Sequence, residues 1–333
     1  MKLLRPRRRF IVLSISIIAL LIVAYLAASK VLYRQLATVL PHCDGAFSSN
    51  TPANFSAAPY HADFDTTPYQ MPNFQAVDIP SRDPGINVSS WFVPTDDATN
   101  APAVIVIHGL GVGTTDCKHS PRSLLPAGML HNDGYNVLLI DLRQHGDSTV
   151  TNGMWAANTT EFHDVLGAWD WLVNTQKITP QQIGLFGYSG GTGAALIAMG
   201  EESQIAAAWL DSPYTDLETV ISDHLATTHL PAFLMPGGFL MARLNGVDLL
   251  AYRPLAEAVK IGKSNRPVSV VHAADDPVLP SRYAQMLVDT IQAAGGHADL
   301  WIPPGTQHVG AMFDYPEDYA KRLTAFFDAH LRQ

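Results

Sequence analysis

A serine hydroxyl is a weak nucleophile near neutral pH, and this 333-residue chain carries three stretches that together could activate one. The first is Gly187-Tyr188-Ser189-Gly190-Gly191, a G-x-S-x-G pattern with an apolar run before it and an Ala/Gly-rich run after it. A buried strand that ends in such a turn and feeds a helix lifts the serine Oγ clear of the backbone. The helix N-terminus adds amide donors and a positive dipole end where an oxyanion would form. On its own, a serine in a glycine-rich turn is usually just a turn, so the reading depends on partners. The base is His308, which follows Trp301-Ile302-Pro303-Pro304-Gly305 in a loop after the last predicted strand. The acid is Asp276, in Asp275-Asp276-Pro277-Val278-Leu279-Pro280, where it would hold the imidazole's tautomer and stabilise its cation. Asp275 is the alternative acid. Asp211 also ends a strand and is read as structural.

An oxyanion needs two backbone N–H donors. Gly190, just after the nucleophile, supplies one. The second is assigned to Leu110, in the turn His108-Gly109-Leu110-Gly111 that follows the β-branched run at 103–107. His108 is read as structural in that turn, and the loop Arg143-Gln144-His145-Gly146-Asp147-Ser148 as a wall of the site. This chemistry requires no metal or organic cofactor. The glycines at 109, 111 and 113 have the wrong spacing for a dinucleotide fingerprint, and no Gly-Lys-Ser/Thr follows for a P-loop. His119, His131 and His163 lack metal-ligand spacing. Asn54, Asn87 and Asn158 head glycosylation triplets, which matter only in a host that glycosylates.

Positioning three loops at one edge calls for strands that end there. From about residue 76, strands and helices alternate, which predicts an α/β protein with a mostly parallel sheet covered by helices on both faces. Strands are expected at 87–93, 103–107, 136–141, 182–186, 205–210, 268–272 and 298–302. The run at 103–107 is apolar throughout, as for a strand buried on both faces. Helices are expected near 120–132, 160–175, 189–199, 281–294 and 316–331. Phe162, Val165, Leu166, Trp169 and Leu172 recur at helical spacing. More than fifty residues separate Asp211 from Pro267, too many for a simple connection. The span 212–265 can hold a covering helix plus a small lid, or core-packing helices alone.

The N-terminus reads differently. Residues 1–9 form a basic flank, and residues 10–29 contain no charge, a run of roughly 30 Å as a helix. Five basic residues precede that run, and only Lys30 and Arg34 follow closely. That bias predicts a signal-anchor with its N-terminus in the cytoplasm and the body on the extracytoplasmic side. A cleaved secretory signal with Ala27-Ala28-Ser29 at its end is the rival reading. Residues 30–75 are expected as a linker with an irregular approach to the body, and 76–333 as the catalytic domain. Cys43 and Cys117 could form one disulfide in an oxidising compartment or remain two thiols. Seven of the 21 Lys and Arg lie in residues 1–34 and no Asp or Glu does, which leaves 14 basic against 30 acidic side chains, a net of −16. A body so acidic is unsuited to gripping a phosphate backbone, so no nucleic-acid partner is expected.

With these motifs in order, the chain resembles the alpha/beta-hydrolase superfamily over roughly residues 76–332. The matching stretches include Val106-Ile107-His108-Gly109-Leu110, Asp141 through Ser148, Gly187 through Gly191, Leu210 through Tyr214, Val247-Asp248-Leu249, and the Asp276 and His308 regions. Within the superfamily it is similar to bacterial membrane-anchored members grouped with serine aminopeptidase and prolyl-oligopeptidase-like hydrolases. Gln144 stands where that family usually has Gly. The resemblance implies an alpha/beta-hydrolase fold and a serine hydrolase, with a small-molecule acyl substrate. Ester cleavage through an acyl-enzyme is the leading expectation, and the apolar stretch at 230–241 points the same way. A peptidase, or a catalytically silent binding protein on the same fold, are the alternatives.

Overall fold

The computed structural model describes residues 4–40, 42–43, 45–58, 60–110 and 116–332. The chain begins with α1 (Leu4–Ala37), then forms β1 (Gln75–Pro80), β2 (Asn87–Val93) and β3 (Ala103–Ile107). Next come α2 (Pro121–Asn132), β4 (Asn136–Ile140), α3 (Phe162–Asn174), β5 (Ile183–Tyr188), α4 (Gly191–Glu201) and β6 (Ala207–Asp211). Three helices follow, α5 (Leu217–Thr227), α6 (Leu234–Leu244) and α7 (Pro254–Lys263). The fold closes with β7 (Val268–Val271), α8 (Arg282–Ala293), β8 (Ala298–Trp301), α9 (Ala311–Asp314) and α10 (Pro316–Leu331).

All eight strands join one sheet in the order β1-β2-β4-β3-β5-β6-β7-β8. The β1–β2 and β2–β4 pairs are antiparallel and the rest are parallel, as the strand–helix alternation predicts. Alternation within a strand sends side chains to opposite faces. In β3, Ile105 and Ile107 join the core under α3, α4, α7 and α8, whereas Val104 and Val106 join the core under α2 and α10. Both faces are covered, so β3 is apolar at every position.

Register is what gathers the functional loops. Ile107 pairs with Gly187, Tyr188 with Asp211, Asp211 with Val271, and Val271 with Trp301. The C-terminal ends of β3, β5, β6, β7 and β8 therefore lie in one row, and the loops leaving them emerge on the same edge of the sheet.

The insertion between β6 and β7 divides in two. Ala258 and Ile261 put α7 on the sheet, as a covering helix. By contrast, α5 and α6 join apolar clusters with the C-terminal part of α1, away from the two sheet cores.

Two boundaries differ from expectation. The first helix does not stop at residue 29 but runs to Ala37, because Leu32, Tyr33 and Ala37 are buried against the body. Nor is the segment 30–75 a free linker. Phe47, Phe55, Ala57 and Met71 are buried, and a disulfide joins Cys43 to Cys117 across 74 residues of sequence. Scattered aromatics among Pro, Ser and Ala carry no period, so their burial left no pattern to read. Outside the docked part, residues 10–23 of α1 are apolar and mostly exposed. The stretch Phe10–Ala37 is long and apolar enough to cross a membrane.

Candidate active site

Ser189 sits in the turn between β5 and α4 with φ at 49°, a left-handed conformation that costs a side chain on the order of 1–2 kcal/mol. The turn is held open by its surroundings. Its own N–H donates to the Asp211 carbonyl (2.8 Å), and its carbonyl accepts from the Thr192 N–H (3.1 Å) and hydroxyl (2.6 Å). Glycine is required next to it. A Cβ on Gly191 would stand 2.3 Å from the His108 carbonyl oxygen, and one on Gly190 would stand 2.4 Å from Leu110 Cγ. The close approach of β3's exit loop to the start of α4 thus dictates the pattern seen in the sequence.

His308 bridges the other two residues. Its Nε2 lies 2.8 Å from Ser189 Oγ, and its Nδ1 lies 2.6 Å from Asp276 Oδ2. The ring is nearly buried, and Asp276's side chain is fully so. Asp276 Oδ1 accepts from the Val278 and Leu279 amides at 2.8 and 2.9 Å. Burial alone would raise this carboxyl, but hydrogen bonds from His272 and His308, the charge of His308 and the Leu279 amide outweigh it. The balance holds Asp276 well below the usual carboxylate range. An ionised acid on Nδ1 keeps a proton there and leaves Nε2 free to accept the serine proton.

Asp275 is placed elsewhere: it is exposed and accepts from the Gly305 amide at 3.1 Å. Asp211 is buried beneath the turn, accepting from Tyr319 (2.8 Å) and Ser212 (2.9 Å). Burial raises its pKa, and those two hydrogen bonds only partly offset the effect. Leu110's side chain lies against Gly190, which brings the two proposed oxyanion residues together. Gly111 and Gly113 lie outside the described residues. His108 is fully buried: its Nε2 accepts from the Leu142 amide (3.0 Å), so Nδ1 carries the proton and donates to the Gly109 carbonyl (2.6 Å). His145 packs edge-on to it, and burial with the neighbouring His108 pushes His145 down to about 3.

The Arg143–Ser148 loop is braced by buried charge. Arg143 binds Asp164 and Asp83, and Asp141 takes the fully buried Lys118 ammonium at 2.6 Å. Gln144 has φ at 69°, a region glycine enters without strain. Its side chain accepts from the amides of Thr151, Asn152 and Gly153, which explains how a larger residue is held there.

Several supporting residues left no motif. Asn158 is buried and donates to the Gly190 carbonyl (2.7 Å) and to Tyr214 Oη (3.0 Å), so it is not an exposed glycosylation acceptor. Ser212 Oγ accepts from the Val309 amide (3.2 Å), and Arg122 donates to the His308 carbonyl (2.9 Å), together clamping the histidine loop. His272 donates Nε2–H to the Leu279 carbonyl (2.9 Å) and stands 3.3 Å from Asp276 Oδ2. The i, i+4 spacing of His272 and Asp276 was a faint sign of that pairing. Among the described residues, no group of three or more His, Cys, Asp or Glu is placed to hold a metal ion.

A sequence model described as the prolyl oligopeptidase family matches residues 126–333. Protein ABHD12B of Homo sapiens is 25% identical over 283 residues, covering 77% of this chain and 73% of that protein. Lysophosphatidylserine lipase ABHD12 of Danio rerio is 24% identical over 301 residues, covering 82% and 74%. Among solved structures, the Pyrococcus furiosus esterase Pf2001 superposes with a TM-score of 0.64 at 19% identity, covering 88% of this chain and 98% of that one. The fold is that of the alpha/beta hydrolases.

Proposed function

The chain belongs to the prolyl oligopeptidase family, and from that premise we propose that it is a serine hydrolase that cleaves carboxylic esters through an acyl-enzyme. The observation that carries this reading is the unbroken chain of hydrogen bonds from Ser189 through His308 to Asp276, at 2.8 and 2.6 Å. Ser189 Oγ attacks the acyl carbon while His308 Nε2 takes its proton, and Asp276 stabilises the resulting imidazolium. The Gly190 and Leu110 amides hold the oxyanion. His308 then returns the proton to the departing alcohol, leaving the acyl group on Ser189. Water, deprotonated by the same nitrogen, releases the acid and restores the serine.

An ester is favoured over an amide because a relative is named a lysophosphatidylserine lipase and the stretch at 230–241 is apolar. The family's name supports a second reading, a peptidase. We further propose that α1 anchors the protein in a membrane with its basic end in the cytoplasm and the body on the other side. The Cys43–Cys117 disulfide supports that side, since such bonds persist in oxidising compartments.

The test is a panel of p-nitrophenyl esters and aminoacyl anilides on the full chain, with fluorophosphonate labelling. Ester turnover and a Ser189 adduct are expected, both abolished in Ser189→Ala. Cleavage of anilides alone would move the assignment to the peptidase. No adduct and no turnover would leave a silent binding protein.

A further inference from the structure

Between Asp223 and Asp248 the chain carries no acidic residue and a single Lys or Arg, Arg243, in a body that is otherwise strongly acidic. Within that span Leu230 is 38% exposed, Phe233 65%, Leu240 44% and Leu244 71%. Phe233, Leu240 and Leu244 recur at i, i+7 and i+11, which places them in one stripe along α6. The other side of α6, with Gly237, Gly238, Met241 and Ala242, is buried. Water disfavours an apolar stripe of this kind, and such a surface marks an interaction site.

Contacts with α1 fix the height of α6 along that helix. Tyr25 stacks on Phe233 with ring centroids 6.1 Å apart, and its hydroxyl donates to the Phe233 carbonyl at 3.0 Å. One turn on, a Cβ on Gly237 would meet Ser29 Oγ, and one on Gly238 would stand 3.7 Å from Leu32 Cδ2. The two helices therefore run side by side in the same direction. On α1 the uncharged run ends at Ser29, and Lys30 follows. Phe233, level with Tyr25, thus lies about one helical turn, roughly 6 Å, inside the end of the apolar span.

We propose that the start of α6, with the turn from Leu230 to Phe233 that leads into it, is embedded beside α1 in the membrane leaflet from which α1 enters the body. The inference rests on the reading of α1 as a membrane anchor and deepens it: two elements of the chain bind lipid, not one. The partner is lipid because the stripe is continuous with the exposed apolar stretch of α1 and reaches the same layer. Carboxylates are costly to bring near hydrocarbon, and the span from 224 to 247 has none. The turn is also prepared for a dry setting. Pro231 has no N–H, the Leu230 N–H donates to the Leu225 carbonyl at 2.9 Å, and the carbonyls of Pro231 and Ala232 accept from the Leu234 and Met235 amides at 3.0 and 3.1 Å.

The experiment replaces Ile17, Phe233 or Thr99 of the full chain, one at a time, by a diazirine-bearing phenylalanine. Ile17 is exposed in the apolar stretch of α1, and Thr99 is exposed in the loop that enters β3, at the edge of the sheet opposite Ser189. Each protein is reconstituted into vesicles of phosphatidylcholine and phosphatidylglycerol, irradiated, and digested for mass spectrometry. Lipid adducts are expected at 17 and 233 and are lost at 99. Position 230 carries the label in a second variant, which keeps the test available if the one at 233 does not fold. Lipid at 17 without lipid at 233 or 230, or a crosslink from those positions to a second copy of the chain, overturns the proposal and leaves the anchor standing. No lipid at 17 strikes the anchor reading itself, and the proposal falls with it.

Discussion

Replacing Asp276 by Asn alters one atom and one charge, and the geometry dictates how the site would respond. Asp276 Oδ1 accepts the Val278 and Leu279 amides at 2.8 and 2.9 Å, so in Asp276→Asn the carbonyl oxygen must take that place. Turning the amide round would leave two backbone donors facing an NH₂ group, at about 1–3 kcal/mol each. The Asn NH₂ is thereby aimed at His308 Nδ1, where Asp276 Oδ2 now stands at 2.6 Å. An NH₂ group only donates, so Nδ1 must accept and the imidazole proton moves to Nε2. A protonated Nε2 cannot take the proton of Ser189 Oγ, 2.8 Å away. His272 Nε2–H, 3.3 Å from Asp276 Oδ2, would also face the new donor. We expect kcat for a p-nitrophenyl ester to fall on the order of 10⁴-fold, ~5 kcal/mol of transition-state stabilisation. KM should stay within about threefold, because only a transition-state interaction is removed. Asp275→Asn is the matched control: among the described residues its carboxylate accepts from the Gly305 amide, away from His308, and kcat should change less than about threefold. Steady-state kinetics on both variants, with intrinsic fluorescence to confirm folding, decide the matter. A loss below about tenfold in Asp276→Asn, or an equal loss in Asp275→Asn, would refute the tautomer argument.

Two further outcomes follow from buried groups. His145 is held neutral, with its pKa pushed down to about 3, so the unfolded chain binds a proton that the folded one refuses as pH drops from about 6.5. Its contribution is present above the unfolded pKa and lost on acidification; His145→Gln should therefore reduce the stability lost between pH 7.5 and pH 5 by about 2 kcal/mol in urea titrations. An unchanged difference would show that another group carries the acid sensitivity. Reducing Cys43–Cys117, which closes a loop with 74 residues of separation, should lower stability by about 2–4 kcal/mol, and coincident urea midpoints with and without reductant would contradict this.

Much of the protein could be read from local chemistry. The strands β2 and β3 have the bounds expected from the sequence, and β3, buried on both faces, is apolar at every position. The turn Gly187 to Gly191 is legible because only glycine fits against His108 and Leu110, and steric need of that kind is written in residue type. The length and lack of charge of residues 10–29 likewise speak for themselves. Sequence could not choose between Asp275 and Asp276, because neighbours with the same functional group differ only in the direction that the turn after β7 gives them. It could not show that Asn158, Arg122, Ser212 and His272 support the site, because each acts through a partner distant in the chain or through a turn with no signature. It missed the docking of residues 30–75, where single aromatics are buried without any period. Above all, it could not reveal that the end of the N-terminal helix packs with α5 and α6. The apolar pattern that suits a bilayer is the same pattern that suits a protein groove, and only the tertiary structure separates the exposed stretch from the docked one.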